Sequence, residues 1–302
     1  MNQRNAHLEL WRFLFCMAVL GFHFFIPRNS LLFRGGYLGV EFFLIVSGYF
    51  LASHYQSHFA DLSVKKKLTS IPPFLLSRLI RLYPLYLISL VFMLLIRSFV
   101  TGNGFSTLMD LLRTSWAEFF LLQWSPLGNE VLISAHWFVP AIVFGSLFYL
   151  LIYFAFTPKY APFVSLLISL LLYSYYYQKI AKIDVIFSYH SILRGIAGMG
   201  LGIFVYYLTQ RMQNRLKGTF LTFLPHAFFL SIFVYLNFGH RGKMDFVIIA
   251  GYAFALFLMF SKETPFDPRF EKLFCTLGKS TYAIYILQMP LIELIQLVWP
   301  VQ

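Results

Sequence analysis

Charge is what this sequence has least of. Asp, Glu, Lys and Arg make up 12% of its 302 residues, where a soluble globular chain carries about 25%. A deficit that large excludes an ordinary water-soluble domain. Cysteine is nearly absent as well: Cys16 and Cys275 both sit in or beside apolar segments, and they supply neither a disulfide framework nor a metal site. His54 and His58 stand one helical turn apart, but no HExxH accompanies them, so no metal is expected. A GxSxG elbow is missing, and the glycines of GIAGMGLG (195–202) match no phosphate-loop spacing. Sustained period-two alternation is lacking, which excludes a transmembrane β-barrel. No repeat of fixed period is visible. The longest polar connections are 55–77 and 101–136, too little for a soluble domain.

What is present is hydrophobic, 59% of the residues. Apolar runs near 20 residues recur, each long enough to cross roughly 30 Å of hydrocarbon. Spans are expected at about 8–26, 36–54, 82–100, 137–157, 162–178, 190–208, 218–238, 245–260 and 278–298. The first is no cleavable signal peptide, since Arg12 lies inside it and another span follows at once. The expected fold is all-α, a polytopic transmembrane bundle of about 9–10 helices forming one domain over 1–302. Segment 108–124 is amphipathic and carries Asp110, Arg113 and Glu118; a tenth span, a re-entrant piece and an interfacial helix all fit it. Pro72-Pro73 should break any helix between KKKL and FLLSRLIRLYP. The glycines of 195–202 should permit close helix packing.

The net charge of +12 is first a matter of topology, and nucleic acid is not implied. If 108–124 does not cross, most Lys and Arg fall on the side of the N-terminus, Lys65 to Lys67 among them. Arg28, Arg34, Lys179, Lys182, Arg241 and Lys243 fall on the other. That bias places the N-terminus in the cytoplasm with nine spans and the C-terminus outside.

A few polar residues inside apolar runs need a reason. Arg12 and His23 are eleven positions apart, which on an ideal helix leaves them about 20° apart in azimuth and about 16 Å apart along the axis. Both should point into one cavity at different depths. Histidine can take and return a proton near neutrality, and arginine can hold an anion or a carboxylate. Snorkelling of Arg12 and an interfacial His23 are the plainer accounts. Glu41, deep in GGYLGVEFFLIVSG, must be paired, protonated or in a polar cavity; it could contact Arg12, orient His23, or clamp the first helices. Arg78 and Arg81 share a helix face before a long span. They serve either as positive-inside anchors or as a surface for a phosphate-rich ligand. His136 and Trp137, with Trp124 upstream, sit where interfacial aromatics collect, and Trp faces also stack on sugars.

Arg12 with His23, GGYLGVEFFLIVSGYFLA, RLIRLYPLY, HWFVPAIVFGSLFYLL and GKSTYAIYILQMPLIE occur in that order. Together they resemble the membrane-bound acyltransferase-3 family, whose members look like multi-span enzymes of the bacterial cytoplasmic membrane that O-acylate carbohydrates. The resemblance implies acetyl-CoA as acyl donor and a hydroxyl of a surface glycan or lipid-linked sugar as acceptor. It implies His23 as general base or transient acyl carrier, supported by Arg12 and Glu41. Arg78, Arg81 and Tyr83 would hold the donor, and Trp124, His136 and Trp137 the sugar. Membrane lipids and proteins of glycan synthesis would be its partners. The chain departs from the family pattern at Glu41, where aspartate is usual, and at Gln288, where many members have histidine. Family members commonly have ten spans with both termini inside, against nine here. The rival reading is a transporter or export component for a glycan or small anion, which a histidine-containing polar pathway would also suit.

Overall fold

The computed structural model of the chain describes residues 5–125, 130–213, 215, 218, 220–262 and 267–299. Among them are ten α-helices and no strand. In chain order these are α1 (Ala6–Phe25), α2 (Gly39–His58), α3 (Val64–Leu95), α4 (Phe105–Phe119), α5 (Phe138–Ala155), α6 (Ala161–Tyr175), α7 (His190–Met212), α8 (Phe220–Phe238), α9 (Met244–Ser261) and α10 (Pro268–Val298). Asn5 starts α1 by accepting from the Leu8 amide at 3.2 Å, satisfying one of the free donors of the first turn. The fold is the all-α membrane bundle that composition demands.

Eight helices are long and apolar enough to cross a membrane: all but α4 and α6. The expected span at 162–178 is the one that falls short. There the α-helix ends at Tyr175 and runs on as a π-helical stretch, Tyr176–Ile180, whose tyrosines, Gln178 and Lys179 dilute the apolar run.

Pro72 and Pro73 do not break the chain as expected. Helix α3 is continuous through Pro72, Pro73 and Pro84. A proline removes one i→i−4 hydrogen bond, and the residues whose carbonyls lose it at the first two, Leu68 and Thr69, are exposed. Segment 108–124 turns back along α3. The Tyr83 and Tyr86 hydroxyls of α3 donate to the carbonyls of Phe119 and Glu118. The end of α4 therefore lies well back along α3, not beyond it.

Glycines set the central contact. A Cβ on Gly48 of α2 would strike the Met199 carbonyl, and one on Gly202 of α7 would strike the Ile45 carbonyl. The two backbones touch, as small residues at this spacing allow.

Side-chain contacts also fix the vertical register. Going up α3 and its π-helical continuation Ile96–Val100, Leu82, Ser89 and Arg97 meet Tyr282, Ile286 and Glu293 of α10. On α1, Glu9 packs at Gly278 and Arg12 reaches Thr281. Helices α1, α3 and α10 thus rise in parallel from the end where the N-terminus lies. The connections 26–38, 181–189 and 239–243 gather at the opposite end, and the candidate site lies among them.

Candidate active site

A cavity of about 380 Å³ opens at that far end. Helix α1 contributes His23, α2 and its preceding turn Tyr37 and Val40, the turn before α5 Trp137, α7 Arg194, and α10 Tyr285. The connection after α6 adds Lys182 and Asp184, and that after α8 adds Arg241. His23 is half-buried and packs edge-on to Phe22, with ring centroids 5.1 Å apart. Among the described residues its imidazole has no hydrogen-bond partner, so both nitrogens are available to a ligand.

Arg194 organises the floor. It is 1% exposed, and its Nε donates to Oε1 of Glu41 at 2.5 Å while Nη2 donates to the Tyr37 carbonyl at 3.2 Å. The guanidinium carbon stands 4.6 Å from the Trp137 ring centroid, a cation–π geometry. Glu41 has no exposed surface, and its second oxygen accepts from Tyr173 at 3.1 Å. Asp184 bridges two arginines, Nη1 of Arg194 at 3.8 Å and Nε of Arg241 at 2.6 Å.

The wall carrying Lys182 and Asp184 is pinned from behind. Buried Asp245, in the first turn of α9, accepts from the Tyr37 hydroxyl at 2.7 Å and from the Ile183 amide at 3.1 Å. Each oxygen of this carboxylate has one protein donor.

The expected pairing of Arg12 with Glu41 is not formed, and Arg12 does not line the cavity with His23. Glu9, one turn earlier, takes the Arg12 guanidinium at 2.9 Å, and Thr281 of α10 lies 3.5 Å away. Glu41 is held instead by α7, because the glycine crossing brings Arg194 against it. Arg78 donates to Ser146 at 3.2 Å and lies over Phe74, while Arg81 is exposed. Tyr83 is committed to the Phe119 carbonyl. None of these three lines the cavity.

The expected sugar-binding set divides. Trp137 faces the cavity, and Trp124 and His136 do not. His136 is wholly buried, with Nε2 3.2 Å from the Ser89 hydroxyl and Nδ1 3.4 Å from Glu118. Glu118 in turn accepts from the amides of Leu132 and Ile133 at 2.6 and 3.3 Å. It thereby fixes the backbone that delivers Trp137. Among the described residues no three His, Cys, Asp or Glu side chains converge on a metal site.

Arg194, Asp184 and Asp245 were not singled out by sequence. The available signal was an arginine inside an otherwise apolar, glycine-rich span, the pattern that marks Glu41.

A family model described as an acyltransferase domain matches residues 5–302. No curated protein and no solved structure matches the chain.

Proposed function

Since the chain belongs to the acyltransferase family whose model spans it, we propose that it moves an acetyl group from acetyl-CoA to a hydroxyl of a cell-surface glycan or lipid-linked glycan precursor at His23. The observation that carries this reading is an imidazole without a hydrogen-bond partner among the described residues, facing a cavity of about 380 Å³ lined by cations and aromatic rings.

Acetyl-CoA supplies an activated thioester. A sugar hydroxyl in the cavity is a poor nucleophile until a base takes its proton, and His23 is the residue placed to do so. The new C–O ester bond forms as the C–S bond breaks, and the proton held on His23 returns to the departing thiolate. In the two-step variant His23 carries the acetyl group between donor and acceptor. The positive charge of Arg194 at the floor lies beneath the place where negative charge develops on the carbonyl oxygen, while the Tyr37 and Tyr285 hydroxyls are committed to Asp245 and the Ala135 carbonyl.

The donor's phosphates suit Arg78, partly buried against Ser146, and exposed Arg81. Their level can be compared with the cavity through α10, because Tyr282 donates to the Leu82 carbonyl. Arg78 lies one turn below Leu82, and the cavity wall residue Tyr285 one turn above Tyr282. At 1.5 Å per residue that wall is about 10 Å above Arg78, and His23, eleven residues above Arg12 on the parallel α1, is about 20 Å above it, so the donor would have to enter the bundle fully extended. Arg12, beside Thr281, stands between the two levels. With the N-terminus in the cytoplasm of a bacterial cell, the donor enters from inside and the acceptor lies at the outer face of the inner membrane.

The test uses membranes of a deletion strain expressing wild type, His23→Ala or His23→Gln at matched levels, with labelled acetyl-CoA. Label should enter glycans or lipid-linked sugars with wild type and fall by about 10²–10⁴ in both variants. Equal labelling by the variants would remove His23 from the chemistry. Absence of label with wild type would turn the reading towards transport.

A further inference from the structure

Resting on that reading, we propose that the His23 cavity selects an acceptor bearing an oxyanion, a carboxylate or a phosphate, and that Lys182 and Arg241 hold it.

The first support is the distribution of charge. Lys182, Arg194 and Arg241 line the cavity, and Asp184 is the one carboxylate among its lining residues. The nearby carboxylates of Glu41 and Asp245 do not face a ligand. Both are without exposed surface, and all four of their oxygens already accept from protein donors: Arg194 and Tyr173, Tyr37 and Ile183. Asp184 is itself shared between two guanidinium groups. Donors are therefore left over. Among the described residues Lys182 has no carboxylate partner, and Arg241 spends only its Nε, leaving both terminal nitrogens. An arginine presents five N–H donors and a lysine three, so the surplus is large.

The second support is fixation. Lys182 precedes Ile183, which is fully buried and whose amide is bound by the Asp245 carboxylate. Arg241 is 49% exposed, yet its Nε is held at 2.6 Å by Asp184. Arg241 is thereby fixed in the wall, and the exposed Lys182 side chain rises from a backbone held one residue away. They also lie at the end of the bundle away from the N-terminus, where the charge bias that orients membrane proteins does not call for them.

The third support is energetic. A neutral sugar filling the cavity would strip water from these cations and return only hydroxyl contacts, which is costly. An oxyanion replaces that water with charge-assisted hydrogen bonds. Trp137 and Tyr285 line the same cavity and would pack against the remainder of the sugar. The anion can belong to the sugar itself, as in a uronic acid, or to a phosphate on its anomeric carbon, as in a lipid-linked precursor.

The full chain in phosphatidylcholine nanodiscs, which carry no net lipid charge, allows equilibrium dialysis with labelled probes. The probes are cellobiose, its glucuronic-acid-terminated counterpart and glucose 1-phosphate. At least one anionic probe should bind about tenfold or more tightly than cellobiose, the usual worth of one charged hydrogen bond. Lys182→Gln and Arg241→Gln should each remove most of that preference, with Lys182→Arg restoring it and cellobiose unaffected throughout. The preferred anionic probe identifies the source of the charge. Equal binding of cellobiose, no binding of either anionic probe, or displacement of the bound anion by 3′,5′-ADP would overturn the inference, the last by assigning the cations to the donor. Acetyl transfer measured on the same nanodiscs separates the two ideas. Transfer without anion preference defeats this inference alone, and anion binding without transfer defeats the acyltransfer reading alone.

Discussion

Glu41 and Arg194, 153 residues apart in sequence, form an ion pair from which water is shut out on both sides. The pair joins the backbone-to-backbone crossing of α2 and α7 to the cavity floor, since the same guanidinium supports Trp137. Removing one member of a buried pair leaves an uncompensated charge and costs about 3–5 kcal/mol. Glu41→Ala and Arg194→Ala should each lower the thermal midpoint in detergent, and the double variant should lose clearly less than the sum. Additive losses would show that the two do not act as a pair.

The crossing itself predicts a sharp contrast among glycines. Gly48→Ala and Gly202→Ala drive a methyl group into the Met199 and Ile45 carbonyls, and overpacking of this kind costs about 1–3 kcal/mol or more. Gly242, where an added Cβ meets nothing closer than 4.0 Å, should accept alanine within about 0.5 kcal/mol. Size-exclusion profiles and thermal midpoints of the three variants decide it. A stable Gly202→Ala protein would contradict the contact.

Tyr37 and Asp245 hold the wall that carries Lys182 and Asp184. Tyr37→Phe removes the hydroxyl and leaves a buried carboxylate oxygen short of a donor, at a cost of about 1–3 kcal/mol in stability. Because the wall faces the proposed acceptor, the KM for acceptor should rise while that for acetyl-CoA stays put. Steady-state kinetics with each substrate varied in turn would expose the opposite pattern.

Arg12 and Arg78 should behave in the reverse manner. Arg78→Ala removes a donor-side cation and Arg12→Ala the one standing between donor and cavity. Each should raise the KM for acetyl-CoA about tenfold, the scale of a charged hydrogen bond, with little change for acceptor. Unaltered donor kinetics in both would detach them from the donor route.

The helices were legible because apolar run length and glycine spacing are local properties of the sequence. Nothing local reveals that Glu41 meets Arg194 instead of Arg12. Azimuth on α1 pointed Arg12 and His23 into one cavity, but Glu9 lies one turn from Arg12 and captures it, and only His23 lines the cavity. Prolines 72 and 73 were misjudged for a related reason: their cost depends on what surrounds the freed carbonyls, and that is a tertiary fact. His136 and Trp137 are adjacent, yet one is buried against Glu118 and the other opens to the cavity. The turn Ser134–Trp137 that separates them depends on a glutamate from another helix.

The mutual contact of α2 and α7 also has a consequence for traffic. Two helices whose carbonyls already abut the partner's glycines have no slack to part sideways. In the proposed transfer a bulky acceptor would therefore reach and leave His23 by way of the loops at the end of the bundle and not through this seam.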